Sequence, residues 1–160
     1  MILDSTLQIG SALALTGATS TAANPLLGAT YLDSVVAEDW GKGAAIWWYT
    51  RINTAVTASS TGGTFQLVLV GGSTSAKVTT GGTPDATISQ GALVLQANYG
   101  TQLAINTEFK IRVPRGFSYR YLGVGAVITT NALTAGKIDT WLLNDGLQDV
   151  IAYPAGYSVK

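Results

Sequence analysis

The chain has 160 residues, nine Lys plus Arg against nine Asp plus Glu, and neither histidine nor cysteine. That length fits one domain, and the composition excludes disulfides, thiolate metal sites and cysteine nucleophiles, along with the side chain most used for proton transfer near neutral pH. Hydrophobic residues make up 47% and charged residues only 11%, against a usual quarter, so a core is readily built and a net charge of zero favours association over repulsion.

In chain order, residues 1–30 are apolar without a clean period. Leu7–Ile9 and Leu13–Leu15 read as short strands, and Thr16–Ala23 is a Thr/Ser/Ala stretch that ends at the turn signal Asn24-Pro25. An arm lying against a neighbouring subunit and an edge strand with its loop both fit. The opening has no basic residue and does not resemble a signal peptide. No apolar run reaches the roughly 18 residues of a membrane-spanning helix.

Tyr31–Val36 reads as a strand. Ala45–Val56 is stronger, with Ile46, Trp48, Thr50, Ile52, Thr54 and Val56 on one face and Trp47, Tyr49, Arg51 and Asn53 on the other. Aromatics on both faces predict a central strand, or one covered on its outer side. Thr61-Gly62-Gly63 turns into the strand Thr64–Val70, and Gly71-Gly72-Ser73 reads as the next turn. Ala76–Thr80, Thr87–Gln90 and Ala92–Ala97 are weaker strands. The clearest signal follows: Phe109, Ile111 and Val113 alternate with Lys110 and Arg112, and Pro114-Arg115-Gly116 breaks the run. A long strand then places Leu122, Val124, Ala126 and Ile128 opposite Tyr119, Tyr121, Gly123, Gly125 and Val127. After a polar connector, Asn131–Gly136, a third strand places Ile138, Thr140 and Leu142 opposite Lys137, Asp139 and Trp141. If the last two pair as a hairpin, Trp141 covers the bare glycine face. Asn144-Asp145-Gly146 precedes a final strand, Leu147–Tyr153.

No segment carries a convincing helical stripe. About eight to ten strands at this spacing predict an all-β fold, an antiparallel two-sheet jelly-roll-like sandwich. The expected organisation is an arm with the first edge strands at 1–30, a sandwich domain at 31–153 and a tail at 154–160.

Candidate chemistry is sparse. Serines lack a histidine partner, and the carboxylates Glu38, Asp39, Glu108 and Asp139 sit beside turns or on outward strand positions. Asp145 and Asp149 do not match a calcium loop, although a structural calcium stays open. The chain is therefore read as no enzyme, with no cofactor and no metal. Lys110, Arg112, Arg115 and Arg120 interleave with Phe117, Tyr119 and Tyr121, as on nucleic-acid surfaces. About four charges in a neutral chain are thin for phosphate binding, so no nucleic acid is expected. An interface anchor and an ordinary sheet surface remain. Trp40, Trp47, Trp48 and Tyr49 have three readings: core, sugar-stacking platform, or subunit interface.

The run Arg112-Val113-Pro114, Gly116, Arg120-Tyr121-Leu122 and Thr134-Ala135-Gly136 resembles the cement, or capsid-decoration, proteins of tailed bacteriophages of the Bordetella-phage type. The opening, Leu3-Asp4-Ser5 to Leu15, resembles that family's opening as well. The match is patchy over 57–107 and absent after about Asp145. The resemblance implies a structural virion protein on the outer capsid surface, made in the host cytoplasm, that bridges major capsid protein subunits as a dimer or trimer. No membrane is involved. The contact residues expected are Ile2, Leu3, Leu7 and Ile9 of the arm, Trp40, the run Arg115, Phe117, Tyr119, Arg120 and Tyr121, and Tyr153 and Tyr157 of the tail. The alternative is a carbohydrate-binding jelly-roll module of a phage fibre or secreted protein, stacking sugars on Trp40, Trp47 or Tyr49.

Overall fold

The structure is a computed structural model that describes residues 7–17, 26–28, 30–34, 46–59, 62–114, 116–129 and 132–144. Its strands are β1 (Gln8–Ala14), β2 (Leu32–Asp33), β3 (Ile46–Ala58), β4 (Thr64–Gly72), β5 (Ala86–Gln90), β6 (Val94–Leu95), β7 (Glu108–Arg112), β8 (Tyr121–Thr129) and β9 (Leu133–Asn144). One sheet has the order β1-β9-β3-β7. The other has the order β2-β8-β4-β5, with β6 also on β4. The pairs β1–β9, β2–β8, β3–β7 and β4–β5 are all antiparallel. This nesting is a long hairpin rolled over into two layers, the winding of a jelly roll.

The core lies between the sheets and is built by the inward faces that the alternation marks. Trp48, Ile52 and Val56 come from β3, Phe65, Leu67 and Leu69 from β4, Leu122, Val124, Ala126 and Ile128 from β8, and Ile138 and Leu142 from β9. Burying each large aliphatic or aromatic side chain contributes about 1.5–3 kcal/mol. As expected, β3 is central, flanked by β9 and β7.

The structure corrects several expectations. β8 and β9 are not a hairpin: they lie in opposite sheets, and Trp141 is far from the bare glycine face in this topology. Val78 and Leu26 cover that face instead. Val78 ends a 3-10 turn over Ser75–Val78 where a weak strand was expected, and Leu26 bridges Gly125. Together with Val68 and Val70 they form a second apolar cluster outside the five-stranded sheet.

Gly71 and Gly72 end a strand and are not a turn. A Cβ on Gly71 would sit 2.5 Å from the Tyr119 ring, so glycine is there to let an aromatic ring lie on the backbone. Thr134, Ala135 and Gly136 belong to β9. Of Ala92–Ala97 only Val94–Leu95 is strand, followed by a 3-10 turn and the four-residue helix α1 (Tyr99–Gln102). β1 is an edge strand, as expected, but it sends Ile9, Leu13 and Leu15 into the core. The expected strand Leu147–Tyr153 and the tail lie outside the described residues.

A Cβ on Gly123 would meet the Val78 carbonyl oxygen at 2.4 Å, a backbone atom with little freedom to move away. Gly123→Ala is expected to destabilise the protein by about 1–3 kcal/mol, read as a lower denaturant midpoint. Gly100→Ala, whose Cβ meets nothing within 4 Å, is the control and should not lower it. Equal midpoints for both variants would refute this account of the glycine face.

Candidate functional site

The outward face of the four-stranded sheet gathers aromatic and charged side chains. Register places Leu143, Trp47 and Arg112 on one rung, Trp141, Tyr49 and Lys110 on the next, and Asp139, Arg51 and Glu108 on a third. Tyr49, Trp141 and Leu143 are buried there, and Trp47 packs against them half-buried. The Tyr49 and Trp141 rings lie 5.7 Å apart, and the Lys110 ammonium sits 4.6 Å above the Trp47 ring, a cation–π contact. Burial raises the Tyr49 phenol above its ordinary value, reinforced by a hydrogen bond to Glu108 and that carboxylate's charge; Arg51 pulls weakly the other way.

Asp139 is the buried carboxylate of this face, at 4% exposure. It accepts from the Ala12 backbone N–H at 2.7 Å, Asn53 Nδ2 at 3.0 Å, Arg51 Nη2 at 3.2 Å and Ser11 Oγ at 3.3 Å. Burial pushes its carboxyl up, but the bonds from Ala12, Asn53 and Arg51, with the Arg51 charge, outweigh this and hold it below its ordinary value. On the inward side, Trp48 Nε1 donates to Thr140 Oγ1 at 2.7 Å. Thr140 Oγ1 donates to the Tyr49 carbonyl at 3.3 Å and lies 3.1 Å from Thr50 Oγ1. With its single proton given to Tyr49, Thr140 accepts from both neighbours, so the buried hydroxyls are satisfied.

The interleaved basic run is divided by the fold. Lys110 and Arg112 lie on β7, in one sheet. Arg120 precedes β8, in the other, and forms two bonds to Asp33 at 2.8 and 3.0 Å while stacking 4.8 Å from the Tyr121 ring. Tyr31 meets Tyr121 edge-on at 5.5 Å. Phe117 and Tyr119 pack against the main core. Of the expected arm contacts, Ile9 is a core residue at 1% exposure and Leu7 is half-buried on the same core. Ile2, Leu3, Trp40, Arg115, Tyr153 and Tyr157 lie outside the described residues. The structure thus brings Arg120 to Tyr121, and sets Phe117 and Tyr119 on the main core to which Ile9 also belongs.

Two shallow grooves open among the described residues. One, of about 400 Å³, runs between Ala86–Ile88 and Pro114 with Gly116–Tyr119. The other, of about 320 Å³, lies between Gly62-Gly63 and Leu95, Gln96 and Ala97. Leu95, which lines the second, is more than half exposed, as are Leu93 and Ile105. Sequence reasoning missed these three residues; the available signal was the absence of charge from Ala86 to Thr107. Among the described residues, no group of three or more Asp, Glu, His or Cys side chains is placed to hold a metal ion. No helix of the described part is long and apolar enough to cross a membrane.

No protein-family model matches the chain, and no curated protein is significantly similar to it.

What this arrangement does chemically is hold strands together. Asp139→Asn keeps one acceptor oxygen but turns an amide toward groups that donate. It is expected to lower stability by about 1–3 kcal/mol at neutral pH. Because the folded carboxyl lies below its unfolded value of 3.8, its contribution is complete well above that pH. It is lost as the pH falls through the folded value. Denaturant titrations should show wild type losing this component on acidification and Asp139→Asn lacking it; parallel pH profiles would sink the assignment.

Proposed function

We propose that the chain is a structural virion protein that decorates the outer surface of a bacteriophage capsid and ties neighbouring major capsid subunits together. The observation that carries this reading is how the described acidic groups are used. Asp33 binds Arg120, Asp85 binds Lys77, Asp139 ties β1 to β3, and Glu108 takes the Tyr49 hydroxyl. Each carboxylate is engaged in fastening the chain to itself, which suits a rigid brick whose work is done by its surface. Asp85 is held near 2 by Lys77 and Ser73, a group kept charged for a contact.

The resemblance along Arg112–Leu122 supports the same reading. So does the jelly-roll winding, although that fold serves lectins as readily as capsid proteins. Two of the three residues of the sugar-binding alternative favour it less: Tyr49 is buried at 4% exposure and Lys110 sits over the Trp47 ring. In the cementing role, many copies with modest contacts on a repeating lattice become hard to remove together. The role needs no cofactor, nucleic acid or membrane.

The test is co-sedimentation with shells assembled from the major capsid protein of the genome that encodes this chain. Binding at a fixed number of copies per shell, with raised resistance of the shell to heat, is the expected result. Protein left in the supernatant at saturating concentration, or retained on a glycan array, would overturn the proposal.

A further inference from the structure

On the outward face of the four-stranded sheet, burial exceeds what the described neighbours supply. Tyr49, Trp141 and Leu143 are 4%, 7% and 4% exposed, the exposure of a core, although the main core lies on the other side of the sheet. Among the described residues, the further apolar side chain packed on them is Trp47. Lys110 lies over the Trp47 ring, yet Trp47 is the least buried of the four. Glu108, Lys110 and Arg112, the outward residues of β7, are exposed and rim the patch. An antiparallel sheet with one wet face keeps polar residues on that face. Four large apolar side chains on adjacent rungs of β3 and β9 mark instead a face with a layer across it.

The C-terminal segment of the chain starts where that layer is needed. β9 ends at Asn144, one residue past Leu143, and Asn144-Asp145-Gly146 is a reversal signal. A chain that reverses there finds no continuous ladder to join, because β9 is already paired with β3 as far as Asn144 and with β1 as far as Trp141. The inward face is filled by Trp48 and Leu142, at 0% and 1% exposure. The outward face is what remains. Along β9 it runs from Leu143 to Asp139, about 13 Å at a rise of about 3.3 Å per residue. Residues 147–153 span about 23 Å when extended, enough to cross it. Their alternation puts Leu147, Asp149, Ile151 and Tyr153 on one side: three apolar side chains for the patch, and a carboxylate opposite in sign to Lys110 and Arg112. Residues 35–45 also adjoin this end of the sheet, but their length is committed to carrying the chain from β2 in one sheet to β3 in the other.

We infer that the outward face of the four-stranded sheet is the seat of the chain's own residues 147–153, with Leu147, Ile151 and Tyr153 lying on Tyr49, Trp141, Leu143 and Trp47. The segment acts as a strap that keeps water from the outer aromatic cluster. It also closes the Trp47 and Tyr49 rings to any outside ligand. The inference stands apart from the capsid reading, because it concerns the isolated chain: a seated strap in a protein that ignores capsids would sink one and leave the other.

Because the chain has no cysteine, a nitroxide can be attached at a single introduced thiol, Ala152→Cys, on the full chain and its effect read on backbone amides by NMR. The amides of Tyr49, Lys110 and Trp141 are expected to lose intensity and to regain it when the nitroxide is reduced. Those of Val70 and Val127, in the apolar cluster outside the other sheet, should keep theirs. A mixture of isotope-labelled chains without nitroxide and nitroxide-bearing chains without isotope should show no loss, which separates a chain's own segment from that of a second copy. The second readout is acrylamide quenching of tryptophan fluorescence in a Trp40→Phe background. Adding Leu147→Glu/Ile151→Glu should raise the quenching while the far-ultraviolet circular dichroism stays unchanged. Broadening confined to the neighbours of Asn144 in sequence, broadening at Val70 and Val127, broadening in the mixed sample, or quenching unmoved by the double substitution would each overturn the inference.

Discussion

A single desolvated carboxylate, Asp139, fastens the four-stranded sheet. β1 does not pair smoothly with β9; its register shifts twice, and Ala12 takes a positive φ of 49°, a region a side-chain-bearing residue enters only with support. At this irregularity the Ala12 N–H donates to the Asp139 carboxylate at 2.7 Å. Through the same carboxylate, Arg51 and Asn53 hold β3 to β9 where their own register shifts between Ile52 and Thr54. Two irregular pairings are thus pinned by one group. The core contributions of Ile9, Leu13 and Leu15 depend on the outer pairing.

The Thr140 cluster is the inward counterpart of this arrangement. Polar atoms in a core are favourable only when fully matched, and losing one partner leaves the others stranded in a low-dielectric interior. Trp48, Thr50 and Thr140 can be matched in one register of β3 against β9, because a one-residue slip would turn Thr140 outward and Asp139 inward. The pair of polar groups, one on each side of β9, therefore specifies register as well as adding stability.

Much of this was legible in the sequence as faces and little of it as partners. Period-two alternation identified the inward sets Trp48/Ile52/Val56, Leu122/Val124/Ala126/Ile128 and Ile138/Leu142, because burial on one side of a strand writes itself directly into the residue order. It could not say which strand lies beside which. A short connector between β8 and β9 resembles a hairpin, since consecutive strands usually neighbour one another. In a rolled hairpin, though, most consecutive strands cross to the other layer. The glycines misled for a related reason. Gly71 and Gly123 resemble turn or weak-strand residues, but their role is set by Tyr119 and Val78, which arrive from elsewhere in the chain. At the outer aromatic face, the alternation put Trp47 and Tyr49 on one side of their strand, but Trp141 was expected over the glycine face, and only the pairing of β3 with β9 brings it to Tyr49. Their burial under neighbouring groups depends on cross-strand register, which composition does not carry.

The distribution of charge along the sheet edges gives the last step. β7 is an edge strand whose exposed side chains include Glu108, Lys110 and Arg112, the kind of charged edge that discourages contact with other chains. β1 is irregular, and β2 is two residues long. Those three edges are guarded by charge, bulge or brevity. On the flank carrying β5 and β6, a bulge at Ile88 twists the strand, but no charge follows for the whole run to Glu108, and aliphatic side chains stand in solvent. A chain with only 18 charged residues has few to place, and their concentration on some edges and absence from another is what distinguishes a surface held apart from its neighbours from one left able to meet them.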